Sequence, residues 1–156
     1  GSAAAAVTML NDRLSNILLD RFVTLIMVVL DPVQHEATVV NAGHMAPLWR
    51  HPDGAIEEPG KDNSGLPLGI MGGFAYEQTS ITVQPGELLM LYTDGINEAM
   101  NARNEQFTIE RLREHLRQTS GGLETTGEAI ITDVRRFLAG APQSDDMCLV
   151  CFGRNG

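Results

Sequence analysis

Residues 88–95 read LLMLYTDG: five apolar or aromatic side chains, then Thr93, Asp94 and Gly95. An apolar run this short suits a buried strand better than a helix. It ends abruptly in an acid and a glycine. A carboxylate at the mouth of a buried strand is either part of a turn or a ligand.

Working outward, the segments before this stretch alternate strand and turn signals. Phe22–Leu30 and Ala37–Asn41 are β-branched and flank Asp31-Pro32. Pro47–Arg50 and Ala55–Glu57 flank Pro52-Asp53-Gly54, a turn composition. Tyr76–Val83 and Glu87–Thr93 flank Pro85-Gly86, which predicts a third hairpin. A glycine-rich connection, 60–73, contains GLPLG. Ahead of all this, residues 3–19 carry Val7, Leu10, Leu14, Ile17 and Leu18 at helical spacing. Behind it, 108–118 suits a helix with Ile109, Leu112 and Leu116 inward. Thr125-x-x-Glu128 resembles a capping box for a second one, which Gly140 and Pro142 end. Met147–Phe152 reads as the last strand. Hairpins plus segregated helices predict an α+β fold with antiparallel sheets.

The 156 residues suffice for one domain with a sizeable core, assigned to 3–153. Gly1-Ser2 reads as a remnant of tag removal. The net charge of −9 argues against nucleic acid, whose phosphates need clustered Lys and Arg. No apolar run approaches the ~20 residues that span a bilayer. Cys148 and Cys151 are spaced C-x-x-C, but residues three apart on a strand face opposite sides, which argues against a redox pair or zinc. Two buried core thiols suit a reducing cytoplasm, the expected location.

The second acidic point is Asp145-Asp146, immediately before MCLVCF. If the two strands are antiparallel neighbours, the end of one lies beside the start of the other, and Asp94 and Asp145 converge. Converging carboxylates repel unless a cation neutralises them, and all-oxygen sites prefer hard ions such as Mg²⁺ or Mn²⁺. Gly95 would allow close backbone approach and offer its own carbonyl. On spacing alone, ordinary turns explain the same letters.

YTDGINEAMN, NAGHMAPL, SGLPLG and SDDMCLV, over roughly Met9 to Phe152, together resemble the bacterial SpoIIE/RsbU-type branch of the metal-dependent PP2C (PPM) protein phosphatases. The resemblance implies an α-β-β-α sandwich of antiparallel sheets flanked by helices. It implies Asp94 and Asp145 as catalytic metal ligands, with Gly95 and Asp146 beside them in the metal set. It implies two Mn²⁺ or Mg²⁺ ions that activate a water for attack on phosphoserine or phosphothreonine, without a covalent phosphoenzyme. The implied partner is a phosphorylated regulator of the anti-sigma-factor antagonist type, and a second copy of the chain is a further expected partner.

The family's first metal motif, an Asp followed by a Gly-His-Gly-like turn, has no match here: residues 3–41 contain no glycine. The expectation is therefore an N-terminally truncated domain that binds metal weakly and hydrolyses phosphate esters poorly. The competing reading is a degenerate pseudophosphatase acting as a binding module. An exposed sheet edge or apolar patch is expected where strands are missing. Among the other residues, His44 reads as pinning a turn, and 64–69 as either a substrate surface or a rigid connector. Trp49, Met27, Met71, Met90 and Met147 read as packing. His35, His51 and His115 receive no chemistry.

Overall fold

The computed structural model describes residues 1–18, 20–119, 122–143 and 145–154. In chain order the elements are α1 (Ala3–Ser15), β1 (Leu25–Asp31), β2 (Glu36–Ala42), β3 (Leu48–Arg50), β4 (Ile56–Glu57), β5 (Thr79–Thr82), β6 (Leu88–Tyr92), α2 (Asp94–Asn97), α3 (Ile109–Gln118), α4 (Leu123–Leu138) and β7 (Leu149–Gly153). They divide into two compact units: Gly1–Ala46 with Glu58–Gln84, and Pro47–Glu57 with Pro85–Gly156.

In the first unit, four alanines favour helix at the start of α1. Ser2 caps it: its hydroxyl accepts the Ala5 N–H at 3.1 Å. The helix was expected to reach residue 19 but stops at Ser15. There the Ser15 hydroxyl and the Asn16 amide both donate to the Asp12 carbonyl, competing with the helical ladder. Leu19 lies outside the described residues. Val7 and Asn11, one turn apart, are the buried residues of α1. β1 and β2 pair antiparallel from Leu25↔Ala42 to Asp31↔Glu36. The Asp31 carboxylate closes their turn by accepting the Val33 and Gln34 N–H groups. β5 pairs with the other side of β2, giving the order β1-β2-β5. Val7, Val40, Ala42, Leu68 and Tyr76 form the core of this unit.

In the second unit the sheet order is β4-β3-β6-β7, antiparallel throughout. β6 has a partner on each side, and its apolar run is almost continuously buried. α3 offers Leu112 and Leu116 to the core, and α4 offers Ile130, Val134 and Leu138 at helical spacing. Met90, Ile96 and Phe107 fill the space between helices and sheet, each fully buried. Each such side chain contributes roughly 1.5–3 kcal/mol of burial. β7 is an edge: among the described residues it pairs only with β6.

Four local expectations are corrected. The hairpin around Pro85-Gly86 does not form: β5 belongs to the first sheet and β6 to the second. Val83 N–H still bonds to the first unit (His35 O, 2.8 Å), while Gly86 N–H bonds to Arg154 O at 2.9 Å. Between them Pro85 has no N–H to continue a ladder. The capping box at Thr125 also fails: α4 begins two residues earlier, with Gly122 as its cap, and Thr126 donates its hydroxyl back to the Gly122 carbonyl. Cys148 is exposed and Cys151 half-buried, so the thiols are not both in the core. Met71 is 49% exposed; its carbonyl, not its side chain, is held, by the Asn11 amide. Among the described residues no helix is long and apolar enough to cross a membrane.

Candidate functional site

The site is built where β6 ends and β7 begins. Their register runs from Leu88↔Gly153 to Tyr92↔Leu149. One residue further, Thr93 N–H donates to the Cys148 carbonyl at 3.1 Å. The Thr93 hydroxyl accepts the Cys148 N–H at 2.9 Å and donates to the Asp146 carbonyl at 2.8 Å. From Thr93 the chain turns into α2, whose first residue is Asp94.

Gly95 lies directly beneath the acidic segment. A Cβ at this position would stand 2.5 Å from the Asp146 carbonyl oxygen and 3.2 Å from the Asp145 carbonyl carbon, so no other residue fits without displacement. Asp94 and the Asp145-Asp146 pair are therefore carried by backbone segments in contact, as the strand-end argument expected. All three acids are exposed. One Asp94 carboxylate oxygen accepts the Gly95 N–H at 3.0 Å, and one of Asp145 accepts the Asp146 N–H at 2.7 Å. Each carboxylate is thus oriented by its own backbone. Ser144, which opens the late motif, lies outside the described residues.

In kind these residues fit a hard divalent cation: exposed carboxylates, nearby carbonyls, and a cradle that a Cβ would fill. In number they fall short. Among the described residues, no group of three or more His, Cys, Asp or Glu side chains could hold a metal ion.

After α2, Asn101 ties the loop that follows. Its side-chain oxygen Oδ1 accepts the Arg103 and Glu105 N–H groups, and its side-chain amide donates to the Glu105 carboxylate at 2.8 Å. That bond, with Arg103 beside it, draws the Glu105 carboxyl below its ordinary range. Sequence reasoning missed Asn101 and Thr93. Thr93 reads as a strand former, and the only signal for it was a hydroxyl directly before Asp-Gly at a strand end.

At the other end of β6, His51 lies between two carboxylates, Nδ1 at 2.7 Å from Glu87 and Nε2 at 3.2 Å from Glu57. The Nε2 contact is an ion-pair distance without hydrogen-bond alignment. Trp49 Nε1 donates to the same buried Glu87 at 3.0 Å. Trp49 packs, as expected, but also carries a hydrogen bond. In the first unit, the Asn41 side chain pins the NAGH turn by accepting His44 N–H and donating to His44 C=O, and the His44 ring adds a contact of Nδ1 with the Met45 carbonyl at 3.1 Å. A Cβ at Gly43 would collide with Pro67, and Gly65 N–H donates to Asn41 C=O. These contacts hold Gly65 and Pro67 against the NAGH turn.

A family model described as Stage II sporulation protein E (SpoIIE) matches residues 2–155. Two curated relatives match at lower coverage of their own length. Protein IcfG of Synechocystis sp. is 28% identical over 134 residues, 86% of this chain and 21% of that protein. Phosphoserine phosphatase RsbP of Bacillus subtilis is 24% identical over 129 residues, 83% of this chain and 30% of that protein. The chain thus spans less than a third of either relative. Among solved structures, the SiaA PP2C domain of Pseudomonas aeruginosa superposes with a TM-score of 0.78 at 20% identity, covering 97% of this chain and 61% of that one. The phosphatase domain of SpoIIE from Bacillus subtilis, presoaked with Mn, gives 0.72 at 20% identity over 100% of this chain and 67% of that one. The fold is PP2C-like: antiparallel sheets with flanking helices.

Proposed function

Because the chain belongs to the Stage II sporulation protein E (SpoIIE) family, a group with the fold of PP2C-type phosphatase domains, we propose that it is a metal-dependent protein serine/threonine phosphatase domain. Asp94 and Asp145 hold Mn²⁺ or Mg²⁺, with the Gly95 carbonyl and Asp146 beside them. The observation that carries this reading is the contact of the Gly95 backbone with Asp145-Asp146, which brings two acid-bearing segments together from 50 residues apart. A dication at such carboxylates supplies a water of lowered pKa and charge neutralisation for a phosphoryl group. The chain's own part is to hold oxygen ligands fixed and open to solvent, which the self-oriented, exposed carboxylates suit.

RsbP is named a phosphoserine phosphatase, and this supports phosphoserine as the group hydrolysed; the substrate class of this proposal is phosphoserine or phosphothreonine on a signalling protein of the anti-sigma-factor antagonist type. Among the described residues no three acidic, imidazole or thiol side chains form a group that could hold a metal ion, so metal binding by this chain alone is expected to be weak.

The test is calorimetric titration of the chain with Mn²⁺, followed by hydrolysis of a phosphoserine peptide. Wild type is expected to bind, and Asp94→Asn and Asp145→Asn each to weaken binding at least tenfold. Unchanged Mn²⁺ affinity in the double variant would defeat the proposal. Binding without any hydrolysis would favour the binding-module reading instead.

A further inference from the structure

Thr93 stands at the cap position of α2, yet its hydroxyl makes no hydrogen bond to that helix. Threonine at such a position ordinarily accepts an N–H from the helix it precedes. Here the hydroxyl's one donor and one of its two acceptor lone pairs are used across the sheet instead. It donates to the Asp146 carbonyl and accepts from the Cys148 N–H. Together with the Thr93 N–H to Cys148 C=O bond, three contacts tie one residue to the segment carrying Asp145 and Asp146. The β6–β7 ladder stops at Tyr92↔Leu149, so this is the last fastening before the acids.

We propose that Thr93 is a positioning residue: a hydroxyl latch that fixes the Asp145-Asp146 segment against Asp94 and so sets the affinity of the site for divalent metal. The inference rests on the metal reading of these acids. Val at 93 matches Thr in shape but leaves the Cys148 N–H and the Asp146 carbonyl without the hydroxyl. Ser keeps the hydroxyl. The latch acts through the acids and touches no substrate.

The experiment uses the full chain and Mn²⁺ alone, read by paramagnetic broadening of backbone amides. In wild type, Mn²⁺ is expected to broaden the amides of Asp94, Gly95, Asp146 and Cys148 together. Thr93→Val should raise the Mn²⁺ dissociation constant about tenfold, read from the Mn²⁺ concentration at which the same amides broaden. Thr93→Ser should stay within about twofold of wild type. Thr93→Val titrating like wild type, while Asp94→Asn loses Mn²⁺, overturns the latch and leaves the metal reading intact. Wild-type amides that all stay sharp defeat the metal reading. Hydrogen exchange of the Cys148 amide, which needs no variant, then decides the latch: it should exchange as slowly as the paired amides of β7, and exchange at an open-chain rate overturns it.

Discussion

The two units of this chain are held in different ways. Among the described residues, the unit built on β6 has a cluster of twelve buried apolar side chains, drawn mainly from its sheet and both long C-terminal helices. The corresponding cluster of the unit built on β2 has five. The smaller unit compensates with polar pins from its helix to its long loop. Asn11 accepts the Gly69 N–H and donates to the Met71 carbonyl, Asp12 accepts the Gly73 N–H, and the Thr8 hydroxyl accepts the Tyr76 N–H. It also carries most of the exposed large apolar side chains, including Phe22 at 62% and Val33 at 79%. The candidate acids all belong to the unit with the deep core. Chemistry that depends on fixed distances is rooted where apolar packing is thickest, while directional hydrogen bonds shape the long connector.

The strongest challenge to this contrast is a cavity in the larger core. Phe107 is fully buried, edge-to-face with Phe137 at 5.5 Å, and Arg111 lies over both rings. Phe107→Ala is expected to cost about 3–5 kcal/mol in denaturant unfolding. Hydrogen exchange should show the amides of β6 and α3 losing protection before those of β1. In the smaller unit a polar deletion should matter more than its size suggests. Asn11→Ala removes two bonds from a residue with no exposure, and about 1–3 kcal/mol is expected from the unsatisfied groups it leaves. A loss below 0.5 kcal/mol would show that the pins do not hold the loop.

Gly95→Ala tests the cradle directly. Overpacking of this kind costs about 1–3 kcal/mol, and the Asp146 amide resonance should shift even where the fold survives. The smallest expected effect is alkaline. Burial raises the Cys151 thiol from 9.0 to about 11 in the larger unit, and raises Tyr76 above 10.0 in the smaller. A folded-state pKa above the unfolded value means that the unfolded chain releases its proton first. Stability should therefore be full below pH 9, fall as pH rises through the unfolded thiol's range, and level off above 11. Cys151→Ala should flatten that part of the fall, as read by urea midpoints across the same pH range.

Much of the fold was legible because apolar runs report burial directly. LLMLY is a central strand because it has nowhere to be except between two neighbours. The turns at Asp31 and at Pro52-Asp53-Gly54 were legible from residues that bond to their own backbone. The crossover at Pro85-Gly86 was not, since the same residues serve a hairpin and a change of sheet, and only distant pairing distinguishes them. Thr125 misled because a capping signature is local, whereas helix starts are also set by the glycine before Leu123. Of the site, the backbone contact of Gly95 with Asp145-Asp146 followed from where strands end. The role of Thr93 did not, because a cap residue that turns away from its own helix is invisible until both strands are in place.

The one-sided pairing of β7 has a practical consequence. Among the described residues, Leu149–Gly153 has a strand partner on one side only, with Val150 half-exposed on it. A rim of this kind templates any extended peptide that meets it, itself included. Concentrated solutions of the chain should therefore thicken through strand-to-strand growth at this rim, and charged or proline substitutions there should keep the protein dispersed.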